Sequence, residues 1–73
     1  MKLSELTRGE SGTIVAISTD TVLKARFRSF GITKGASVKV IEQTLSKNTI
    51  EIKVHNTKIA LRVSEADAIE IKI

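Results

Sequence analysis

The stretch "TIEIKVHNTKIALRV", residues 49–63, decides the fold of this 73-residue chain. Apolar and polar residues alternate on both sides of a short polar segment, "HNTK" (55–58). Such alternation is typical of β-strands with one buried face, because successive side chains point to opposite faces of a sheet. The stretch therefore predicts a hairpin with strands at 49–54 and 58–63, and a turn in which Asn56 takes a positive φ.

Three further segments have the composition of β-strands. "TIVAIS" (13–18) is β-branched and apolar, and apolar and polar residues alternate in "ASVKVIE" (36–42). "AIEIKI" (68–73) places three isoleucines on one face: Ile69, Ile71 and Ile73. Between the hairpin and this last strand, "SEAD" predicts a single helical turn that Ser64 caps.

One short helix is predicted between the first two strands, within "TDTVLKARFRSFG" (19–31). Thr19 or Asp20 can cap its first turn by accepting a hydrogen bond from a free backbone N–H. Three apolar residues recur at the i, i+4, i+7 spacing of one helix face: Leu23, Phe27 and Phe30. We therefore expect both phenylalanines to be buried.

The stretch "GITKG" (31–35) marks the end of this helix. Gly31 stands where a helix commonly ends on a left-handed residue, and Ile32 can close the cap by packing back onto the helix. A phosphate-binding loop is disfavoured, because phosphate binds at the positive N-terminal end of a helix and this stretch lies at the opposite end. The stretch therefore predicts a helix cap followed by a β-turn.

Five short strands in so few residues would leave exposed edges unless the sheet closes on itself. The sequence therefore predicts a mainly β domain over residues 1–73. We expect a small five-stranded SH3-like barrel with one short helix between strands 1 and 2, which covers an open end of the barrel. An OB-fold is the competing small barrel, but it usually needs more chain.

Catalytic and metal-binding residues are scarce in this sequence. The chain has no cysteine, one histidine (His55, in the predicted turn) and eight scattered acids. Zinc sites need clustered Cys and His, and hard cations need several converging carboxylates. No nucleotide-binding or nucleophile motif is present. We expect no catalysis, no cofactor and no built metal site. A cytoplasmic location is expected, because neither a signal peptide nor a membrane-spanning segment is visible.

The chain carries a formal net charge of +4, and its central part is free of acids. Five cations lie between residues 21 and 41: Lys24, Arg26, Arg28, Lys34 and Lys39. Such a patch can neutralise the phosphates of a nucleic acid, or it can dock on an acidic protein surface. Barrels that bind single strands also use aromatic platforms, and aromatic residues make up only 3% of this chain. Composition alone favours neither nucleic-acid binding nor protein docking over the other. Arg26, at the border of the apolar helix face, is expected to pair with a carboxylate.

The chain opens with "L..L..G..G.I..I", at Leu3, Leu6, Gly9, Gly12, Ile14 and Ile17. Together with the motifs that follow it, this opening resembles the ferrous-iron transport protein A (FeoA-like) family. "RFRSFGITKG" (26–35) is similar to the family's arginine–leucine, leucine–glycine, proline–glycine signature, and "IALRVSEADAIEI" (59–71) resembles its closing strands. The likeness covers nearly all of the chain. Two features depart from it: Lys34 stands in place of a proline, and the loop 45–49 lacks the usual prolines.

The resemblance implies an SH3-like protein that binds and modulates the membrane ferrous-iron transporter from the cytosolic side, where that transporter carries its GTPase domain. It also implies iron transport and transition metal ion binding as the family's context, and a protein peripheral to the membrane. The residues expected to face the partner are Lys24, Arg26, Phe27, Arg28, Phe30, Gly31, Lys34, Gly35 and Arg62.

Two alternatives remain beside this interpretation. The first is a small basic barrel that binds nucleic acid, although we expect no nucleic-acid partner. The second is a stand-alone relative of the C-terminal SH3-like domain of metal-dependent repressors. With any of these functions, two copies could pair weakly through an open sheet edge.

Overall fold

The computed structural model describes residues 1–44, 46 and 48–73. Within them lie the strands β1 (Ser11–Ile17), β2 (Ser37–Thr44), β3 (Thr49–Val54), β4 (Thr57–Arg62) and β5 (Ile69–Lys72). Helix α1 (Thr21–Ser29) connects β1 to β2, the single turn α2 (Val63–Ala66) connects β4 to β5, and a 3₁₀ turn (Leu3–Glu5) precedes β1. This order of elements confirms the predicted fold class. The loop expected at 45–49 lies partly outside the described residues.

The five strands form one antiparallel sheet in the order β4-β3-β2-β1-β5. The register shifts between Ile14 and Ala16 in β1, and between Val40 and Glu42 in β2. Such bulges bend a strand and increase its twist. These bends curl the sheet around one core, and α2 joins its two outer strands.

The core is apolar throughout the described residues and contains no buried polar or charged side chain. It consists of Leu3, Leu6, Ile14, Phe27, Ile32, Ala36, Val38, Val40, Ile50, Ile52, Val54, Ile59, Leu61, Ala66, Ile69 and Ile71. The alternation along β3 and β4 is confirmed for the inward residues that lie in these strands, which are all buried. Val63, also expected to point inward, is half-buried and belongs to α2. Burial of these side chains is the main force that holds so short a chain in one fold.

The β3–β4 hairpin turns over two residues, because Val54 pairs directly with Thr57. The strand β3 has the predicted bounds, and β4 both begins and ends one residue earlier than expected. The residue with positive φ is His55, at 58°, so the expectation for Asn56 was wrong. The tight register places the left-handed residue first in the turn, a detail that the composition of "HNTK" does not encode.

Helix α1 begins at the residue after Asp20, whose Oδ1 accepts a hydrogen bond from the Leu23 N–H at 2.8 Å. Phe27 is fully buried, as predicted. The expectation that Phe30 is buried was wrong, because 37% of it is exposed. The helix ends at Ser29, so Phe30 is the cap residue and does not continue the buried face.

The end of α1 has the predicted left-handed cap. Gly31 has a φ of 82° and its N–H donates to the Arg28 carbonyl at 3.1 Å. The Ile32 N–H donates to the Phe27 carbonyl at 2.9 Å, and the Ile32 side chain is buried. These two bonds and the apolar contact define a Schellman motif, which satisfies carbonyls that the helix end would leave free.

A β-turn follows the cap, as expected. The Ala36 N–H donates to the Thr33 carbonyl at 3.0 Å, and Gly35 has a φ of 92°. The Gly35 N–H also donates to the Ile14 carbonyl at 2.7 Å. This hydrogen bond attaches the turn to β1, and it thereby sets the position of the segment between α1 and β2.

The single turn α2 is capped differently from the prediction. Ser64 lies inside the turn, and the residue that precedes it is Arg62, whose backbone N–H donates to Glu65 Oε1 at 2.9 Å. This bond is one half of a capping box, in which a carboxylate three residues into the turn accepts from the backbone N–H of the cap residue.

The two ends of the described chain meet at β5. The Met1 ammonium donates to Glu70 Oε1 at 3.1 Å, and the Ile71 N–H donates to the Met1 carbonyl at 2.6 Å. Ile73, expected on the buried face, is 75% exposed because β5 ends at Lys72.

Candidate functional site

The residues predicted to face a partner lie on two flanks of α1. On one flank is a depression of about 260 Å³, which we call the α1 groove, lined by Ala16, Ile17, Lys24, Arg28, Ile32, Thr33 and Lys34. On the other flank, Arg26 and Arg62 line a second depression of about 420 Å³ that Glu65 also borders. The nine predicted residues therefore do not form one continuous patch.

The α1 groove combines an apolar floor with a cationic rim. Lys24 and Arg28 are four residues apart and lie on the same side of the helix. Lys34 is brought to them by the cap and turn that follow α1. Ile17 and Ile32 form the apolar part of the lining. This arrangement suits an apolar side chain of a partner that is flanked by carboxylates.

The rim cations of the α1 groove are exposed, and within the described part of the chain none of them forms an ion pair. An ion pair inside the protein would have neutralised part of their charge. Their charge is therefore directed to solvent and to whatever binds there.

Arg26 has an internal role on the second flank. Its Nη1 donates to Glu65 Oε2 at 3.0 Å, and its Cζ lies 5.9 Å from the centre of the Phe30 ring. The Arg26 side chain is 52% exposed and that of Glu65 16% exposed. The prediction that Arg26 pairs with a carboxylate is confirmed. The pair connects α1 to α2. Arg26, which was expected to face a partner, therefore already binds a carboxylate of its own chain.

Three of the predicted residues shape the site without lining the α1 groove. Phe27 is buried in the core and anchors α1. Gly31 and Gly35 have positive φ values, and they set the path of the backbone that carries Lys34. Phe30 is exposed beside Arg26, which leaves its ring available to a partner on the second flank.

Sequence reasoning missed the contribution of β1 to the α1 groove. Ala16 and Ile17 line it, although they read only as part of an apolar strand. The signal was weak because a bulge at this point breaks the regular alternation of inward and outward residues. Lys39, counted with the acid-free stretch, lies elsewhere, in β2 opposite Lys53 of β3.

The described residues offer little chemistry beyond charge. They contain no group of three or more His, Asp or Glu side chains placed to hold a metal ion. The pKa of the Glu10 carboxyl is lowered because the Thr7 backbone N–H and hydroxyl both donate to it, at 2.7 and 2.8 Å. Across residues 1–44, 46 and 48–73, none of the helices has the length and apolarity needed to cross a bilayer.

Comparison with known proteins identifies the relatives of this chain. The sequence model of the FeoA domain matches residues 1–73. A Helicobacter pylori (strain J99) protein provisionally named Fe(2+) transport protein A is 37% identical over 73 residues, which cover 99% of this chain and 94% of that protein.

Solved structures share the architecture. A Stenotrophomonas maltophilia FeoA, described as an SH3 domain protein and crystallised with zinc, matches with a TM-score of 0.85 at 26% identity, over 99% of this chain and 89% of that one. A manganese-dependent transcriptional repressor matches with a TM-score of 0.92 at 24% identity, over 97% of this chain and 39% of the repressor. At that identity the repressor shows a shared fold only.

Proposed function

Since the chain belongs to the FeoA domain family, we propose that it is an accessory protein of ferrous-iron transport that docks on the membrane ferrous-iron transporter. Membership confirms the resemblance that the order of motifs indicated. In the proposal the protein acts in the cytosol, has no catalytic activity of its own, and meets the transporter on the side that carries its GTPase domain.

The observation that carries this proposal is the α1 groove. Three cations, Lys24, Arg28 and Lys34, surround an apolar floor, and all three are exposed. Interfaces gain affinity from apolar anchors in their centre and from Arg side chains, while complementary charge directs the encounter. An acidic segment of the transporter with one apolar anchor residue would match the groove in both respects.

The groove is held on a rigid support, which favours a docking role. The Schellman cap fixes the end of α1, the bond from Gly35 fixes the following turn on β1, and the Arg26–Glu65 ion pair links α1 to α2. A preorganised surface loses little conformational freedom on binding.

Docking would act on the transporter by population shift. A bound protein changes the equilibrium between two states of its partner only by the difference in its affinity for them. The proposed role is therefore to bind one state of the transporter more tightly than another, without making or breaking any covalent bond.

The test is a binding measurement on purified transporter in nanodiscs of zwitterionic lipid, with wild type and Arg28→Glu. Lys72→Glu is the matched control, because Lys72 is also exposed but lies in β5, outside the groove lining. Reversal of a groove cation should weaken binding by about 10-fold or more, as for an interface hot spot. The control should bind like wild type.

Two outcomes would count against the proposal. Wild type that fails to bind the transporter at any accessible concentration would remove the docking role. Equal weakening by Arg28→Glu and Lys72→Glu would mean that net charge, and not the α1 groove, determines binding.

A further inference from the structure

Three lysines lie side by side across the strands β2, β3 and β4. Lys39 pairs directly with Lys53, and Lys53 pairs directly with Lys58. All three are exposed. We call this row the lysine ladder. It lies in the sheet, whereas the α1 groove lies between α1, β1 and the turn after the cap.

Such a row is unfavourable for the folded protein alone. Like charges directly opposite each other on neighbouring strands destabilise a sheet, and opposite charges stabilise it. Over the described residues, none of the three lysines forms an ion pair. Glu42 and Glu51 pair with each other in the adjacent part of the sheet, and Glu42 lies 3.8 Å from Arg8. Neither of these two glutamates is therefore a cross-strand partner of a lysine in the row.

The ladder borders two depressions of about 410 Å³ each. Lys39 and Lys53 line both. One of the two is also lined by Lys58 and by Arg8, and Arg8 is paired with Glu42. The three lysines form no ion pair within the described residues, so together they produce a local positive potential that an anion can neutralise.

We propose that the lysine ladder is a contact surface for the phosphate groups of anionic lipids at a membrane. The occupant follows from the type of cation. Lysine is a strongly hydrated point charge on a flexible stem, which suits mobile headgroups, whereas arginine suits fixed planar partners. Clusters of cations near an anionic leaflet bind it additively.

Two other classes of partner fit this surface less well. Protein interfaces are depleted in lysine and need apolar anchors. The depression lined by Arg8 and all three lysines has no aromatic side chain in its lining. Proteins that bind single-stranded nucleic acid combine charge with aromatic platforms, and the two phenylalanines of this chain both belong to the α1 region.

The test is cosedimentation with vesicles of phosphatidylcholine alone and of phosphatidylcholine mixed with phosphatidylglycerol in equal parts. Wild type is compared with the ladder variant K39Q/K53Q/K58Q. The matched control is K24Q/R28Q/K34Q, which removes the same charge from the α1 groove. A single-stranded oligonucleotide is titrated in parallel, and far-UV circular dichroism verifies that both variants are folded.

We expect wild type to bind the anionic vesicles and not the neutral ones, and to lose binding as salt is added. Each lysine should contribute about fivefold, so the ladder variant should bind roughly 100-fold more weakly while the control changes much less. No binding of wild type to anionic vesicles, or equal loss in both variants, would overturn the proposal. Tighter, ladder-dependent binding to the oligonucleotide would also overturn it. No transporter is present in this assay, so its result is independent of the docking function proposed above.

Discussion

The two phenylalanines of α1 provide an internal test of how this fold is held together. They lie three residues apart and are the same residue type, but Phe27 is fully buried and Phe30 is 37% exposed. We compare Phe27→Ala with Phe30→Ala. Both changes remove the same atoms, so any difference in the free energy of unfolding reports their surroundings.

The structure sets the expected magnitudes. Removing a fully buried phenylalanine costs about 3–5 kcal/mol, since the lost burial is accompanied by a cavity. Phe30 is about two-thirds buried, and complete burial of a phenylalanine contributes roughly 1.5–3 kcal/mol, so its loss should cost about 1–2 kcal/mol. Its contact with Arg26, at 5.9 Å, adds about 0.5 kcal/mol at this exposed site. A domain of this size has a total stability of only about 4–11 kcal/mol, so Phe27→Ala should leave it marginal.

The assay is urea unfolding followed by far-UV circular dichroism, because the chain contains no tryptophan or tyrosine for fluorescence. Phe27→Leu serves as the control that keeps most of the volume, and it should cost less than about 1.5 kcal/mol. Equal losses for Phe27→Ala and Phe30→Ala would refute the view that Phe27 is the main anchor of α1 in the core.

Two further predictions concern the turn after α1 and the stability of the fold at acidic pH. Gly31→Ala should destabilise by about 1–2 kcal/mol, because the left-handed φ of 82° is unfavourable for a residue with a Cβ. That Cβ would also lie 3.2 Å from His55 Cδ2, so Gly31→Asn, which tolerates positive φ better, should rescue only part of the loss in thermal melts. In Glu10 the pKa is lowered in the folded state, below its ordinary value of 4.5, mainly by the backbone N–H of Thr7. The charged carboxylate therefore stabilises the fold above its unfolded-state pKa, and this contribution is lost as pH falls through the folded-state pKa. Glu10→Gln should accordingly lose less stability than wild type between neutral and acidic pH, and parallel pH profiles of the urea midpoint would contradict this.

Much of the fold follows from local patterns in the sequence. The alternation over 49–63 encodes the hairpin because one face of both strands is buried in an apolar core. Gly31 encodes the end of α1, since the bonding of the Schellman cap requires a left-handed residue there. These signals are short in range, so a single sequence contains them.

Two of the errors arise where a pattern continues past the element that carries it. Phe30 and Ile73 both fit the period of a buried face, but α1 ends at Ser29 and β5 at Lys72, so each projects from a residue beyond the regular element. Periodicity defines a face and does not determine where the element stops.

The candidate sites were the least predictable part, because they depend on which strands are neighbours. Lys39, Lys53 and Lys58 are separated along the chain, and they become a row only through the register of three strands. The division of the cations around α1 into two flanks similarly depends on Glu65, a residue of α2 that binds Arg26. Charge counting along the sequence cannot supply either arrangement.

The contact between Met1 and β5 has a consequence for how the molecule assembles. It joins residues 70 positions apart, and β1 pairs with β5 between residues 52 to 59 positions apart. Closing so large a loop loses more chain entropy than closing the β3–β4 hairpin, which turns over two residues. We therefore expect the hairpin to form early in folding. The contacts of Met1 and β1 with β5 should form late, because they join distant parts of the chain.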